Sequence, residues 1–225
     1  MPGVLRQLSC LKSINHDMKK IAMILAAAIS CASVSAQTTV KLPAPRKDAS
    51  MTLYQALQQR ASVREFKTDG IPMQTLSDLL WAAVGINRED GRLTAPTAMN
   101  TQEIRLFACL GDGAYEYIAK DNALVRISGK DLRQDVAVGQ GKIGEAPVFL
   151  LIVADLNRYR RPGPKTATFG AIDCGYVSQN ICLACEALGL ATVPRAMMDQ
   201  DVLKKELGLG EGMELLINHP VGYGK

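Results

Sequence analysis

The sequence predicts an α+β domain built around one long helix. Residues 169–188 form the longest helical pattern and are apolar nearly all round, which is typical of a centrally buried helix. Residues 147–154 are a continuous apolar run, as in a strand that is buried on both faces. Three shorter strand patterns follow one another earlier in the chain, at 103–110, 113–118 and 123–128.

The first 36 residues have the order of a secretory signal peptide. Met18-Lys19-Lys20 opens a charged start, residues 21–29 are apolar, and small residues lead up to Ala36. A membrane anchor is the alternative, but the apolar run is shorter than the roughly 20 residues that span a bilayer. A lipid anchor on Cys31 is a further alternative. We predict export, to the periplasm in a bacterium, with no stable membrane span.

Removing this leader leaves 189 of the 225 residues, which suits one domain with a hydrophobic core. The leader carries four basic residues and one acidic residue, so the net charge falls from +4 to about +1. A nearly neutral domain gives no argument for nucleic-acid binding. No nucleic-acid-binding motif is present either.

The other elements follow from local patterns. Residues 37–50 are rich in Pro, Thr and Lys and are predicted to be an extended arm before the domain of residues 51–225. A last strand is predicted at 213–220. The long polar connection 85–101 is a candidate functional loop because of its length, and the basic loop 158–166 is interpreted as a solvated surface segment. Helices are predicted at 52–59, 73–84, 131–138 and, with Asp199 as its N-cap, 200–207.

The chain after the leader lacks the residues of familiar catalytic sites. It has one histidine, His219, and four cysteines that are best interpreted as buried thiols: Cys109, Cys174, Cys182 and Cys185. A zinc site needs more ligands, so no metal is expected. Glycine-rich nucleotide motifs and a nucleophile with its base are also absent. This pattern favours chemistry that is carried by a bound cofactor.

Residues 60–66 concentrate positive charge and a hydroxyl in a short stretch. Arg60, Ser62 and Arg64 alternate, so on an extended strand they lie on one face. Two guanidiniums and a hydroxyl on one face suit a phosphate monoester. The alternative is a solvated basic turn after a helix.

Four blocks in the same order resemble the FMN-dependent nitroreductase family, over residues 52–224. Arg60, Ser62 and Arg64 resemble its Arg-x-Ser-x-Arg/Lys segment. Residues 96–102 resemble its Pro-Ser-x-x-Asn-x-Gln loop, although Glu103 stands where the family usually has proline. Residues 179–194 resemble its central helix and the following turn, and residues 220–223 resemble its last block.

The resemblance implies an α/β/α sandwich with a mostly antiparallel central sheet, a long buried central helix and a homodimer with FMN in two clefts between the subunits. Arg60 and Arg64 would contact the FMN phosphate and the pyrimidine edge, with Ser62 beside them, and Asn100 would hydrogen-bond the pyrimidine ring. The turn 194–197 would offer a backbone N–H to the flavin N5. The full set of predicted cofactor-binding residues is Arg60, Ser62, Arg64, Pro96, Thr97, Asn100, Gln102, Pro194, Arg195, Ala196, Met197, Gly222 and Lys225.

The resemblance predicts an FMN-dependent oxidoreductase without a catalytic side chain, because the flavin N5 carries the hydride. The donor would be NAD(P)H or another hydride donor, and the acceptor a small molecule such as a nitroaromatic or a quinone. Two alternatives stay open: a flavin-binding protein without turnover, and a peptide dehydrogenase. The second rests on residues 81–88 and 111–115, which look like the azoline-oxidising subgroup.

Overall fold

The computed structural model describes residues 38–48 and 50–225. The predicted leader, residues 1–36, lies outside the described residues, so its role as a signal peptide stays a prediction. None of the helices in the described part is long and apolar enough to cross a membrane.

A seven-stranded sheet forms the middle layer, with the strand order β1-β4-β3-β2-β5-β7-β6. Every neighbouring pair of these strands is antiparallel, which confirms the predicted sheet type. The strands are β1 (Thr39–Lys41), β2 (Ile104–Leu110), β3 (Gly113–Ile118), β4 (Ala123–Ser128), β5 (Val148–Asp155), β6 (Ala191–Thr192) and β7 (Met213–Gly222).

Strand β5 lies in the middle of the core, and all eight of its residues are buried. Because side chains alternate along a strand, Leu150 and Ile152 pack into one hydrophobic cluster while Phe149 and Leu151 pack into another on the opposite face. The sheet is therefore covered on both faces, and the predicted α/β/α sandwich is confirmed.

Five α-helices within residues 38–48 and 50–225 cover the two faces. Helix α1 begins with a capping box, in which Thr52 and Gln55 satisfy each other's backbone N–H groups. The Asp199 side chain accepts a hydrogen bond from Val202 N at the start of α5, as predicted. The helices are α1 (Leu53–Gln59), α2 (Met73–Val84), α3 (Arg133–Ala137), α4 (Thr166–Ala187) and α5 (Gln200–Glu206).

Helix α4 is the predicted long helix, and it begins three residues earlier than the apolar pattern suggested. One face packs on the sheet, with Val177 and Ile181 fully buried. The opposite face is open in the single chain, where Ile172 is 46% exposed and Tyr176 is 47% exposed. Apolar residues on both faces explain why the sequence is apolar nearly all round, and they leave one face available for a partner.

Residues 38–48 have no helix and pack on the rest of the domain. Residues 39–41 pair with β4 at the edge of the sheet. Ser77 Oγ donates a hydrogen bond of 2.6 Å to the Pro43 carbonyl oxygen, and the Arg46 guanidinium forms an ion pair with Asp78 at 2.7 Å. The arm thus covers an edge strand that would otherwise present unpaired backbone groups.

Candidate functional site

Residues 60–66, the basic segment, run along the edge of the sheet that β6 and β7 form. Ser62 forms a parallel bridge with Thr192, and Val63 N donates to the Thr192 carbonyl oxygen at 3.1 Å. Further along, Phe66 is fully buried and bridges to Gly224. The segment is therefore extended, as the alternating pattern requires, and it is fixed by backbone pairing at both ends.

The side chains of Arg60, Ser62 and Arg64 are uncommitted within the described part of the chain, whereas Glu65 forms an ion pair with Lys142. Ser62 and Arg64 are exposed, and Arg60 is half-buried close to Cys182 on α4. Neither guanidinium takes part in an ion pair with the residues of 38–48 and 50–225. This donor set fits a phosphate or another anionic oxygen, because two cations and a hydroxyl are free to bind it.

The turn 194–197 lies beside this segment, because it follows β6 directly. Arg195 N donates to the Asn218 carbonyl oxygen at 2.9 Å, so this backbone donor is already used. The Arg195 guanidinium points inward, to the carbonyl oxygens of Val136 at 3.2 Å and Ala137 at 3.0 Å. Arg195 therefore holds the turn in place.

The exposed positions of the turn are better placed to bind a cofactor than Arg195. Ala196 and Met197 are exposed, and their backbone N–H groups have no backbone partner among the described residues. Asn218 is fully buried and donates to the carbonyl oxygens of Arg195 and Met197, both at 3.1 Å. The buried amide thus fixes a turn in which the N–H groups of Ala196 and Met197 are left without a backbone partner.

The C-terminal residues meet the same edge. Gly222 pairs with Ala191, and Lys225 N donates to the Glu65 carbonyl oxygen at 3.2 Å. The Lys225 ammonium forms an ion pair with Glu145. Lys225 is therefore close to the basic segment, but its charge is shared with a carboxylate, unlike the charges of Arg60 and Arg64.

The loop 96–102 lies at the other end of the sheet. It leads into β2 beside the end of β5, since Ile104 pairs with Ala154, whereas Val221 pairs with Val148 at the start of β5. At about 3.3 Å per residue, these two ends are roughly 20 Å apart. One chain therefore brings together three of the four predicted blocks, and not the loop that carries Pro96, Thr97, Asn100 and Gln102.

The loop 96–102 has a tightly constrained backbone. Met99, Asn100 and Gln102 have φ angles of 55°, 53° and 52°, in the left-handed region that non-glycine residues seldom adopt. Thr97 Oγ1 accepts from Gln102 N at 2.9 Å, and Asp173 Oδ2 accepts from Ala98 N at 2.7 Å. These bonds hold a strained turn in which Asn100 is exposed.

A buried acidic pair lies behind this loop. Glu103 is fully buried and Asp173 is 3% exposed, and their carboxyl groups lie within hydrogen-bonding reach of each other. Tyr159 donates to Glu103 Oε1 at 3.1 Å. Burial, followed by the neighbouring Asp173 carboxyl, raises the pKa of Glu103 to about 7. Glu103 therefore keeps its proton to a higher pH than a free carboxyl does, and Asp173 supports the loop through its bond to Ala98 N.

The single histidine of this domain is structural. His219 is fully buried, with Nε2 2.8 Å from Ser178 Oγ and Nδ1 3.1 Å from Thr192 Oγ1. Thr192 Oγ1 donates its hydrogen to the Pro220 carbonyl oxygen at 2.8 Å, so it accepts from Nδ1–H. Burial lowers the pKa of His219 to about 3. The neutral ring thus joins α4, β6 and β7 beneath the basic segment.

The four cysteines are free and buried, which confirms the interpretation as buried thiols. Burial raises the pKa of Cys109 to about 12 and that of Cys174 to about 12. A thiol with a raised pKa is a poor nucleophile and a poor metal ligand. These cysteines therefore serve packing.

Comparisons with known proteins agree with this geometry. The model of the nitroreductase family matches residues 57–223. A protein of Methanocaldococcus jannaschii described as a nitroreductase is 31% identical over 180 residues, which are 76% of this chain and 90% of that protein. A solved structure described as a nitroreductase from Ralstonia eutropha has a TM-score of 0.75 at 32% identity, covering 83% of this chain and 90% of its own.

A reductase of Bacillus subtilis named FMN reductase [NAD(P)H] is 24% identical over 155 residues, which are 62% of this chain and 51% of that protein. The fold and these matches define an oxidoreductase of the flavin-dependent class. The chain belongs to the nitroreductase family, as the four blocks predicted.

Sequence reasoning missed several residues that shape the site. Asn218 and His219 lie in an apolar strand pattern, where a polar side chain gives no signal of what it contacts. The pairing of Glu103 with Asp173 joins residues 70 positions apart in the sequence, so local spacing could not reveal it. The glutamate at position 103, where the family usually has proline, was the one sign in the sequence that this position differs.

Proposed function

We propose that this chain is an FMN-dependent oxidoreductase that passes hydride from NAD(P)H to a small acceptor such as a nitroaromatic or a quinone. One observation carries the proposal. Residues 60–64, the turn 194–197 and the C-terminal residues meet at one edge of the sheet. There the side chains of Arg60, Ser62 and Arg64 are uncommitted within the described chain, and the N–H groups of Ala196 and Met197 have no backbone partner.

The chain's own residues divide the binding work. Arg60 and Arg64, with Ser62 between them, carry positive charge that can bind the FMN phosphate. The same charge can stabilise the negative charge that builds up on the flavin ring when it is reduced. The exposed N–H groups of Ala196 and Met197 offer hydrogen bonds at the turn. When bound, FMN supplies the atom that carries hydride. The turn and the basic segment then orient it and leave one face open to substrates.

A homodimer would complete the site. The loop with Asn100 is roughly 20 Å along the sheet from the β6–β7 edge, so its predicted role at the same flavin requires a loop from a second copy. The exposed face of α4, with Ile172, Tyr176 and Gln179, offers the surface for that copy. Gln179 and Asn180 then serve helix packing, as expected from their place in an apolar run.

Initial-rate kinetics test the proposal. Because donor and acceptor use the same open face in turn, double-reciprocal plots with NADPH and a quinone should give parallel lines. Bound flavin that no donor reduces would instead favour a flavin-binding protein without turnover. Turnover that starts only when a cyclised peptide is added would favour the azoline-type dehydrogenase. Failure to bind FMN at all would contradict all three functions.

We further propose that the chain is exported to the periplasm, on the leader pattern of residues 1–36. Fractionation of an expressing bacterium should recover a protein that begins at Gln37. Recovery of the full-length chain in the cytoplasm would contradict export.

A further inference from the structure

A cleft of about 600 Å³ opens beside the loop 96–102, and its lining is strongly cationic. A volume of this size is typical of sites for small organic ligands. Three arginines and no carboxylate line the cleft among the described residues. The lining residues are Met99, Asn100, Thr101, Arg158, Arg160 and Arg161. The lining itself therefore carries three positive charges and no negative charge.

Arg158, Arg160 and Arg161 belong to one loop, and the start of this loop is fixed by hydrogen bonds and an ion pair. Arg158 Nη1 donates to the Gln102 carbonyl oxygen at 2.7 Å, and Arg158 Nε lies 3.5 Å from Asp155 Oδ2. The next residue, Tyr159, is 4% exposed and donates to Glu103. Arg158 and Tyr159 thus attach this arginine-containing loop to residues 102 and 103, at the end of the loop 96–102. The fold therefore fixes where the backbone of Arg160 and Arg161 begins.

Arg160 and Arg161 are the groups that this arrangement leaves free to bind. Both are exposed, and neither forms an ion pair with the residues that the structure describes. Met99 on the cleft wall is 75% exposed and offers an apolar, polarisable surface for a flat ring. Guanidiniums that line the same cleft as such a surface suit an aromatic molecule that carries an anionic group.

We propose that this arginine cleft binds a carboxylate, sulfonate or phosphate group of the molecule that exchanges electrons with the flavin. The inference rests on the proposed function, because Asn100 lines the cleft and is also a predicted flavin contact. The anionic group can belong to the acceptor or to the pyrophosphate of the donor, and the same chemistry would recognise both.

The test compares a neutral naphthoquinone with its sulfonate as acceptors for the flavin-loaded enzyme. In the Arg160→Ser/Arg161→Ser variant, KM for the sulfonate should rise about tenfold or more, as expected for the loss of charged hydrogen bonds. KM for the neutral quinone should change less than about twofold, because the apolar contact remains. The matched control, Lys204→Ala/Lys205→Ala, removes two charges from α5 and should behave as the wild type.

The other outcomes also decide the matter. A rise in Kd for NADPH instead of in KM for the sulfonate would support the site and assign the anion to the donor. Unchanged constants for both molecules would overturn the proposal, and so would loss of flavin from the variant, because the arginines would then serve the cofactor. The Arg160→Lys/Arg161→Lys variant should recover part of the affinity.

Direct binding separates failure of this site from failure of the proposed function. A fluorescent naphthalene sulfonate should bind the flavin-loaded protein and lose affinity about tenfold in the Arg160→Ser/Arg161→Ser variant, whether or not the enzyme turns over. Equal binding by the wild type and the variant would overturn the proposal even if the flavin is reduced normally.

Discussion

At the scale of single residues, Arg60 gives the most direct test of the basic segment. Its guanidinium is half-buried beside α4 and has no ion pair within the described chain. We predict that Arg60→Ala weakens FMN binding by about 1.5–3 kcal/mol, the range for a charged hydrogen bond. Fluorescence titration of the apoprotein with FMN measures this, with Lys205→Ala as the control. Equal affinity in Arg60→Ala and the wild type would mean that the segment is only a basic turn.

His219 gives a prediction about stability and pH. Its folded-state pKa lies near 3, below the ordinary value of 6.5, so the unfolded chain takes up a proton more readily than the folded chain. The buried neutral His219 therefore makes its full contribution to the free energy of unfolding above pH 6.5. This contribution is lost as the pH falls toward 3. Between pH 7 and pH 5 the free energy of unfolding should fall by roughly 2 kcal/mol from this group alone.

Urea unfolding of the wild type and of His219→Asn at several pH values checks this prediction. The variant should be less stable at neutral pH, because it loses at least one of the bonds to Ser178 and Thr192. Its stability should also depend less on pH between 7 and 5. The same pH dependence in both proteins would contradict the role given to the histidine.

At the scale of elements, the loop 96–102 depends on the buried pair behind it. The pKa of Glu103 is raised from 4.5 to about 7, so the folded state holds a proton that the unfolded chain releases more easily. Stability from this group is therefore present at low pH and is lost as the pH rises from 4.5 through about 7. We predict that Glu103→Gln is more stable than the wild type at pH 8, by on the order of 2 kcal/mol.

The amide of Glu103→Gln can donate to Asp173 and accept from Tyr159 without carrying charge, which is the physical reason for the gain. Tyr159→Phe serves as the contrasting variant: it removes the donor to Glu103 and should lower stability. Thermal unfolding at pH 5 and pH 8 measures both. A Glu103→Gln variant that is less stable than the wild type at pH 8 would argue against a shared proton.

The elements also show which features the sequence made predictable. The long helix, the buried strand β5 and the three-strand run were predictable because their apolar patterns are long and local. The two-residue strand β6 was not, since Ala191 and Thr192 pair only because β7 lies beside them. The extension of β7 to Gly222 was missed for a similar reason: Pro220 looks like a strand end, yet it continues opposite Phe149.

In the predicted site, too, local features were predictable and contacts between distant residues were not. The alternation of Arg60, Ser62 and Arg64 is local, and the structure confirms the extended segment. The inward role of the Arg195 side chain depends on Val136 and Ala137, which are distant in the sequence. The basic loop 158–166 was interpreted as a solvated segment, and its position on the arginine cleft became visible only in the fold.

At the scale of the whole molecule, the open face of α4 predicts self-association. A charged residue placed there would have to be buried in the dimer, so Tyr176→Arg should give monomers with weakened FMN binding. Sedimentation and FMN titration measure the two effects together. Val138→Arg places the same charge at an exposed apolar position of the opposite layer and should remain dimeric. A Tyr176→Arg dimer with normal FMN affinity would contradict the proposed arrangement.

The visible absorption spectrum of the purified protein, before and after NADPH is added without oxygen, tests the central claim most directly. We predict a yellow protein whose flavin absorbance bleaches with NADPH and returns when a quinone is added. Yellow protein that NADPH leaves unchanged would contradict the proposed donor. Colourless protein that stays colourless after FMN is added and unbound FMN is removed would contradict the flavin site itself.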